Sequence, residues 1–120
     1  MKQFQIINAY QTLETLAENE FLTELDQWAV YKVRKMLKHH IEFQNERETS
    51  IREKFMEYTD ENGNLQGDKA KEYLEDIQKL NNLDVELEEF EKPKIKLVKG
   101  ITCKIMEPLE DFIEFTSPAE

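Results

Sequence analysis

The residues whose types and spacing best fit a chemical task are the oxygen donors of Asp60-Glu61-Asn62-Gly63-Asn64-Leu65-Gln66-Gly67-Asp68. Oxygen side chains at positions 1, 3 and 5 of such a run are how an EF-hand loop begins to wrap a calcium ion. That loop also needs a glycine at position 6 and a bidentate glutamate at position 12. Leu65 and Lys71 stand there instead, and Glu72 comes one place too late. The run therefore reads as a tight turn with a helix cap, because Asn-Gly accepts the positive φ a reversal needs. His39 and His40 are adjacent, so on a helix they point about 100° apart. Two ligands on one helix face need a spacing of three or four. Glu42 and Gln44, the residues at those offsets, complete no zinc pair. Cys103 alternates with Ile101 and Ile105 and reads as a thiol on a buried strand position. Gly63, Gly67 and Gly100 match no phosphate-loop spacing. Among 26 acidic residues, neighbouring carboxylates say little about acid–base catalysis. The expectation is a chain with no catalytic residue, no metal and no cofactor.

Two charged surfaces remain as candidates for binding. The first is basic and aromatic: Trp28, Tyr31, Lys32, Arg34, Lys35, Lys38, His39 and His40. Trp28, Tyr31, Arg34, Lys35 and Lys38 are its candidate contact residues. The second is acidic: Asp84, Glu86, Glu88, Glu89 and Glu91, with Asp60, Glu61, Glu75 and Asp76 expected nearby. Regularly spaced carboxylates on a strand can imitate a row of phosphates and occupy a basic cleft. Glu86, Glu88, Glu89 and Glu91 are the candidate contacts there.

The elements that must position these residues follow from periodicity. Asn8 with Gln11 three places on resembles a capping box, and Tyr10, Leu13, Leu16 and Ala17 follow at helical spacing. Thr23 with Asp26 is a second cap signal. No breaker follows until Asp60–Asn64, so one long helix is expected over 24–58. Its stripe is Ala29, Val33, Leu37 and Ile41, resumed by Ile51, Phe55 and Tyr58. Between them 44–50 is polar and should leave the core to reach solvent or a partner. Trp28 lies roughly 140° around from Val33, and Leu25 and Met36 are also off the stripe. A helix apolar on several sides packs between two layers or presents one side to a partner. Asp68 caps a third helix bearing Tyr73, Leu74, Ile77 and Leu80, expected to run back along the long one as a helical hairpin.

After Leu83 the period changes to alternation. Val85 and Leu87, then Ile95 and Leu97, then Ile101, Cys103 and Ile105 alternate with polar residues, the mark of strands with one buried face. Acidic and lysine strands facing one another would make a small antiparallel sheet of two or three strands. Pro108 opens a short closing helix with Leu109, Phe112 and Ile113 on its apolar face, and residues 116–120 should fray. The fold class is α+β within a single domain over 1–120: a helical part at 1–82, a small sheet at 83–106 and a closing helix at 107–115.

Composition narrows the function. A formal net charge of −10 across 120 residues suits neither phosphate neutralisation nor an anionic membrane. Residues 1–59 carry 8 basic and 10 acidic residues, whereas 60–120 carry 8 and 16, so the acidity is concentrated in the second half. A partner with a basic surface is the better electrostatic match. The lone cysteine excludes an internal disulfide and fits a reducing compartment. Met1–Tyr10 lacks a signal peptide's basic start and long apolar run. No apolar stretch approaches the roughly 20 residues a bilayer span needs. A soluble, cytoplasmic protein is expected, binding neither nucleic acid nor membrane directly.

Leu13-Glu-Thr-Leu16-Ala17, Trp28-Ala-Val-Tyr-Lys-Val-Arg-Lys35, Asp60-Glu-Asn-Gly-Asn64, Val85-Glu-Leu-Glu88, Lys94-Ile-Lys-Leu97 and Pro108-Leu-Glu-Asp-Phe-Ile113 follow one another along the chain. In this order they resemble an uncharacterised family of small proteins encoded by phages and prophages of Gram-positive bacteria. The resemblance implies an accessory protein acting in an infected bacterium, where small acidic proteins often bind and block host factors. The leading expectation is a protein-binding inhibitor of a host nucleic-acid-handling or defence protein, with DNA mimicry by the acidic strand. The alternative is a virion-assembly accessory that self-associates through its long helix, as a homodimer for example.

Overall fold

The computed structural model describes residues 1–117. Helix α1 spans Gln3–Ala17 and α2 spans Glu24–Phe55, continued by a 3-10 turn at Met56–Tyr58. Helix α3 spans Gly67–Asn81. Strand β1 is Lys94–Lys96, the short helix α4 is Cys103–Met106 with a 3-10 turn at Glu107–Leu109, and strand β2 is Glu114–Thr116. The chain is thus mostly helical, with a long central helix and a small sheet.

Helix α1 begins five residues before Asn8. Its stripe already includes Ile6, which is fully buried with Ala9, Leu13 and Leu16. Lys2 occupies the cap position, where the Gln5 side-chain oxygen accepts from its backbone N–H at 2.8 Å. Asn8 sits mid-helix and its carbonyl accepts from Thr12 Oγ1. At α2 the cap is the expected one: the Asp26 N–H donates to Thr23 Oγ1 at 3.1 Å, and Glu24 and Asp26 place negative charge at the positive end of the helix.

Two apolar clusters hang on α2. The larger joins Ile6, Ala9, Leu13 and Leu16 of α1 to Leu22, Val30, Val33, Leu37, Ile95, Leu109, Phe112 and Ile113. Fully burying each Val, Leu, Ile or Phe among them contributes about 1.5–3 kcal/mol. The smaller holds Ile51 and Phe55 of α2 with Leu80 of α3, backed by Leu65, Tyr73 and Ile77. On α2 Val30 is buried while Ala29 and Ile41 are only half-buried, and Tyr58 is exposed. The polar stretch 44–50 does not leave the core altogether. Gln44 is 3% exposed, and its amide donates to Glu48 Oε1 at 2.8 Å and to Asn81 Oδ1 of α3 at 2.9 Å. A polar bridge therefore occupies the interval between the clusters.

The turn before α3 consumes the oxygens of Asp60. Its Oδ1 accepts from the N–H groups of Asn62 and Asn64, both at 2.9 Å, and Oδ2 accepts from Gln66 Nε2. Gly63 has φ +79°, the conformation the Asn-Gly pair allows. The N-cap position of α3 is Gln66, whose side chain makes no cap hydrogen bond, and Asp68 lies in the first turn.

The sheet differs most from expectation. Its two strands are parallel, in the register Lys94–Glu114, Ile95–Phe115 and Lys96–Thr116. Parallel pairing needs a long crossover to return the chain to the same end, and residues 97–113 supply it. Ile101–Ile105 does not form a third strand. A strand and a helix both set residues four apart on one face, so Ile101 and Ile105 are half-buried with α4 between Cys103 and Met106. Cys103 is consequently exposed. The closing helix shrinks to the 3-10 turn: Leu109, Phe112 and Ile113 are buried as their spacing indicates, but the chain then extends into β2. Thr116 pairs with Lys96 and does not fray; of the expected fraying segment, 118–120 lie outside the described residues. Residues 85–91 form no strand, although the alternation is visible as half-buried Val85 and Leu87 between exposed glutamates. Their neighbour is the chain start: the Val85 N–H donates to the Met1 carbonyl at 2.7 Å, and the Gln3 N–H donates to the Leu83 carbonyl at 2.9 Å.

Candidate interaction surfaces

Helix α2 buries one face and leaves the opposite one in water, and the basic and aromatic residues divide between them by helical arithmetic. At about 100° per residue, Lys32, Lys35 and His39 fall within roughly 40° of Trp28, and Tyr31 and Lys38 within roughly 80°. Trp28, Tyr31, Lys32, Lys35, Lys38 and His39 are all exposed. Trp28 and Tyr31 stack with ring centroids 5.3 Å apart and planes inclined 22°. Arg34 lies roughly 120° around from Trp28 and is half-buried, so it does not join the exposed group. Between Gln27 and Ile41 there is no Asp or Glu, so the face carries positive charge on an acidic chain. Leu25, 81% exposed, adds an apolar side chain one turn before Trp28. Isolated exposed apolar residues need no explanation, but a Trp–Tyr stack beside a Leu is the composition of contact surfaces.

The acidic residues form an extended strip. Val85, Leu87 and Phe90 anchor it to the main cluster, and Phe90 stacks on Phe112 at 6.1 Å. Glu86, Glu88, Glu89 and Glu91 are exposed, and no ion pair involves them among the described residues. Asp84 is different. It pairs with Lys2 at 2.8 Å, and that hydrogen bond and charge hold its carboxyl below the usual range. Asp60 and Asp76, grouped with the strip in sequence, are engaged elsewhere: Asp60 in its turn, Asp76 with Lys54 at 3.1 Å.

The two candidate surfaces are neighbours. A shallow seam of about 200 Å³ between α2 and the strip is lined by Ala29, Lys32, Val33, Met36, Phe90, Glu91 and Pro93. That is small for a ligand pocket; its interest is that it brings Lys32 beside Glu91. Opposite charges therefore border each other along α2.

The rings of His39 and His40 lie 3.9 Å apart, and His40 is held below the usual imidazole value, first by partial burial and then by the charge of His39. Among the described residues no group of three or more His, Cys, Asp or Glu is arranged to hold a metal ion. None of the described helices is long and apolar enough to cross a membrane.

A third feature was not legible from the sequence. Arg47, Ser50, Ile51 and Lys54 of α2 line a groove with Asp76, Lys79 and Leu80 of α3 and the following Leu83. Its cations come from two helices, and only the packing of α3 on α2 unites them. No protein-family model, curated protein or solved structure matches the chain.

Proposed function

We propose that this chain works by docking on another protein, with the acidic strip as its contact. In this reading it is a phage-type accessory protein in the cytoplasm of an infected bacterium. It binds the basic surface of a host nucleic-acid-handling or defence protein and blocks it, with no catalytic step of its own. The observation that supports this is the mounting of the strip. Apolar side chains at 85, 87 and 90 are tied into the main cluster while the neighbouring carboxylates face water with no ion-pair partner among the described residues. The packed Val85, Leu87 and Phe90 hold the backbone of this row against the main cluster, which lowers the ordering cost of binding. Binding proteins from host lysate should be captured by the native chain and released by salt, because exposed charge pairs are screened. The variant with Glu86, Glu88, Glu89 and Glu91 all changed to Gln should lose at least tenfold in affinity for the captured protein. Undiminished capture by that variant would refute the strip as the contact.

A second reading, a virion-assembly accessory that self-associates through α2, is favoured by the exposed Leu25, Trp28 and Tyr31. Light scattering over a concentration series tests it. A dimer that Trp28→Ala dissociates supports self-association, and a strict monomer at the highest concentration removes it.

A further inference from the structure

The groove between α2 and α3 is built differently from either candidate surface. Its floor is apolar, made by the buried Ile51 and Leu80, and around it stand Arg47, Lys54, Lys79, Ser50 and the exposed Leu83. Among the described residues Asp76 is the one acidic residue lining it, and Asp76 is engaged by Lys54 at 3.1 Å. Arg47 and Lys79 make no ion pair among the described residues. The cavity is about 530 Å³, within the range that holds a small ligand. On a chain with net charge −10, the concave site between these helices thus presents a positive rim over an apolar floor.

We propose that this groove binds a small organic phosphate, with the phosphate on Arg47, Ser50 and Lys79 and the organic body over Ile51 and Leu80. Arg offers a planar fork that matches phosphate oxygens, Lys a compact charge and Ser a hydroxyl donor. Lys54 also lines the groove and is paired with Asp76. The apolar floor gives an aromatic or aliphatic body a surface to cover, which a bare phosphate cannot use. The site is independent of the protein contact proposed above, because it uses no residue of the strip.

The test is a titration of the full chain, followed by amide chemical shifts, with adenosine 5′-monophosphate, with inorganic phosphate and with adenosine. Saturable shifts centred on Arg47, Ser50 and Lys79 are expected with the nucleotide, at least fivefold tighter than with phosphate or adenosine alone. The double variant Arg47→Gln with Lys79→Gln should weaken nucleotide binding at least tenfold. Lys94→Gln with Lys96→Gln, which removes the same charge from exposed positions of β1, should leave it unchanged. Equal losses in both variants would mean non-specific attraction to positive charge and would overturn the site. So would the lack of saturable shifts up to millimolar nucleotide, or equal affinity for inorganic phosphate. Both variants alter exposed side chains, and unchanged far-ultraviolet circular dichroism confirms their fold.

Discussion

Two polar residues of α2 make the sharpest predictions. The imidazole of His40 is harder to protonate in the folded chain than in the unfolded one. The unfolded chain therefore takes up this proton first as the pH falls below about 6.5. Its contribution is complete above that value and is lost progressively below it. Thermal melts should show Tm falling from pH 7.5 to pH 5.5, with a flatter slope for His40→Gln; an unchanged slope would discount the residue. Gln44 is the other case. Its amide N–H groups serve Glu48 and Asn81, while its buried Oε1 has no hydrogen-bond partner. Gln44→Ala removes both bonds and leaves a void, so a loss of about 1–3 kcal/mol is expected in denaturant unfolding. Gln44→Met loses the same two bonds but fills the space and removes the unpaired oxygen, so it should cost less than Gln44→Ala. At this scale the sequence was half legible. The period that grouped Trp28, Tyr31, Lys35 and Lys38 also sets Arg34 aside once the angles are worked through. Nothing local marked Gln44 as buried, because its burial depends on Asn81 arriving from α3.

Between elements, the two clusters on α2 should respond separately. Leu37 is fully buried where α1 and α2 meet, whereas Phe55 packs edge-on against Tyr73 at 5.7 Å in the smaller cluster. Leu37→Ala should cost about 2–5 kcal/mol globally and lower hydrogen-exchange protection throughout the chain. Phe55→Ala should release α3 and the end of α2 while the amides of α1 keep their protection, since small clusters open as local units. Equal loss in α1 and α3 would show one cooperative unit instead. The extent of α2 was readable because Thr23 caps it and no Gly or Pro interrupts it before residue 63. The sheet was not, for a definable reason. Alternation reports which side chains are buried and says nothing of which backbone lies alongside. Val85 and Leu87 are inward as their pattern says, yet their neighbour is Met1–Gln3 and no lysine strand. Ile101 and Ile105 satisfy a strand and a helical turn equally, and the crossover resolved them as α4. Ile95 alone kept its expected strand, with a parallel partner from a segment read as helix.

The molecule as a whole is elongated, measuring 57 × 30 × 20 Å with a radius of gyration of 18.1 Å. A compact chain of this length would have about 14 Å. Helix α2, about 48 Å long at 1.5 Å per residue, accounts for the difference. Surplus negative charge spread over that shape repels itself, and the three surface ion pairs among the described residues are weak compensation. Raising sodium chloride from 20 to 500 mM should therefore increase Tm, as screening relieves the repulsion; a decrease would mean that attractive pairs dominate. The exposed thiol of Cys103 has a practical corollary when set beside the exposed indole of Trp28. Each is the single residue of its type, so an acceptor dye on the sulfur and the native tryptophan as donor form a built-in optical ruler. Its energy transfer would register bending or pairing of the rod on meeting a partner, with no engineered label site.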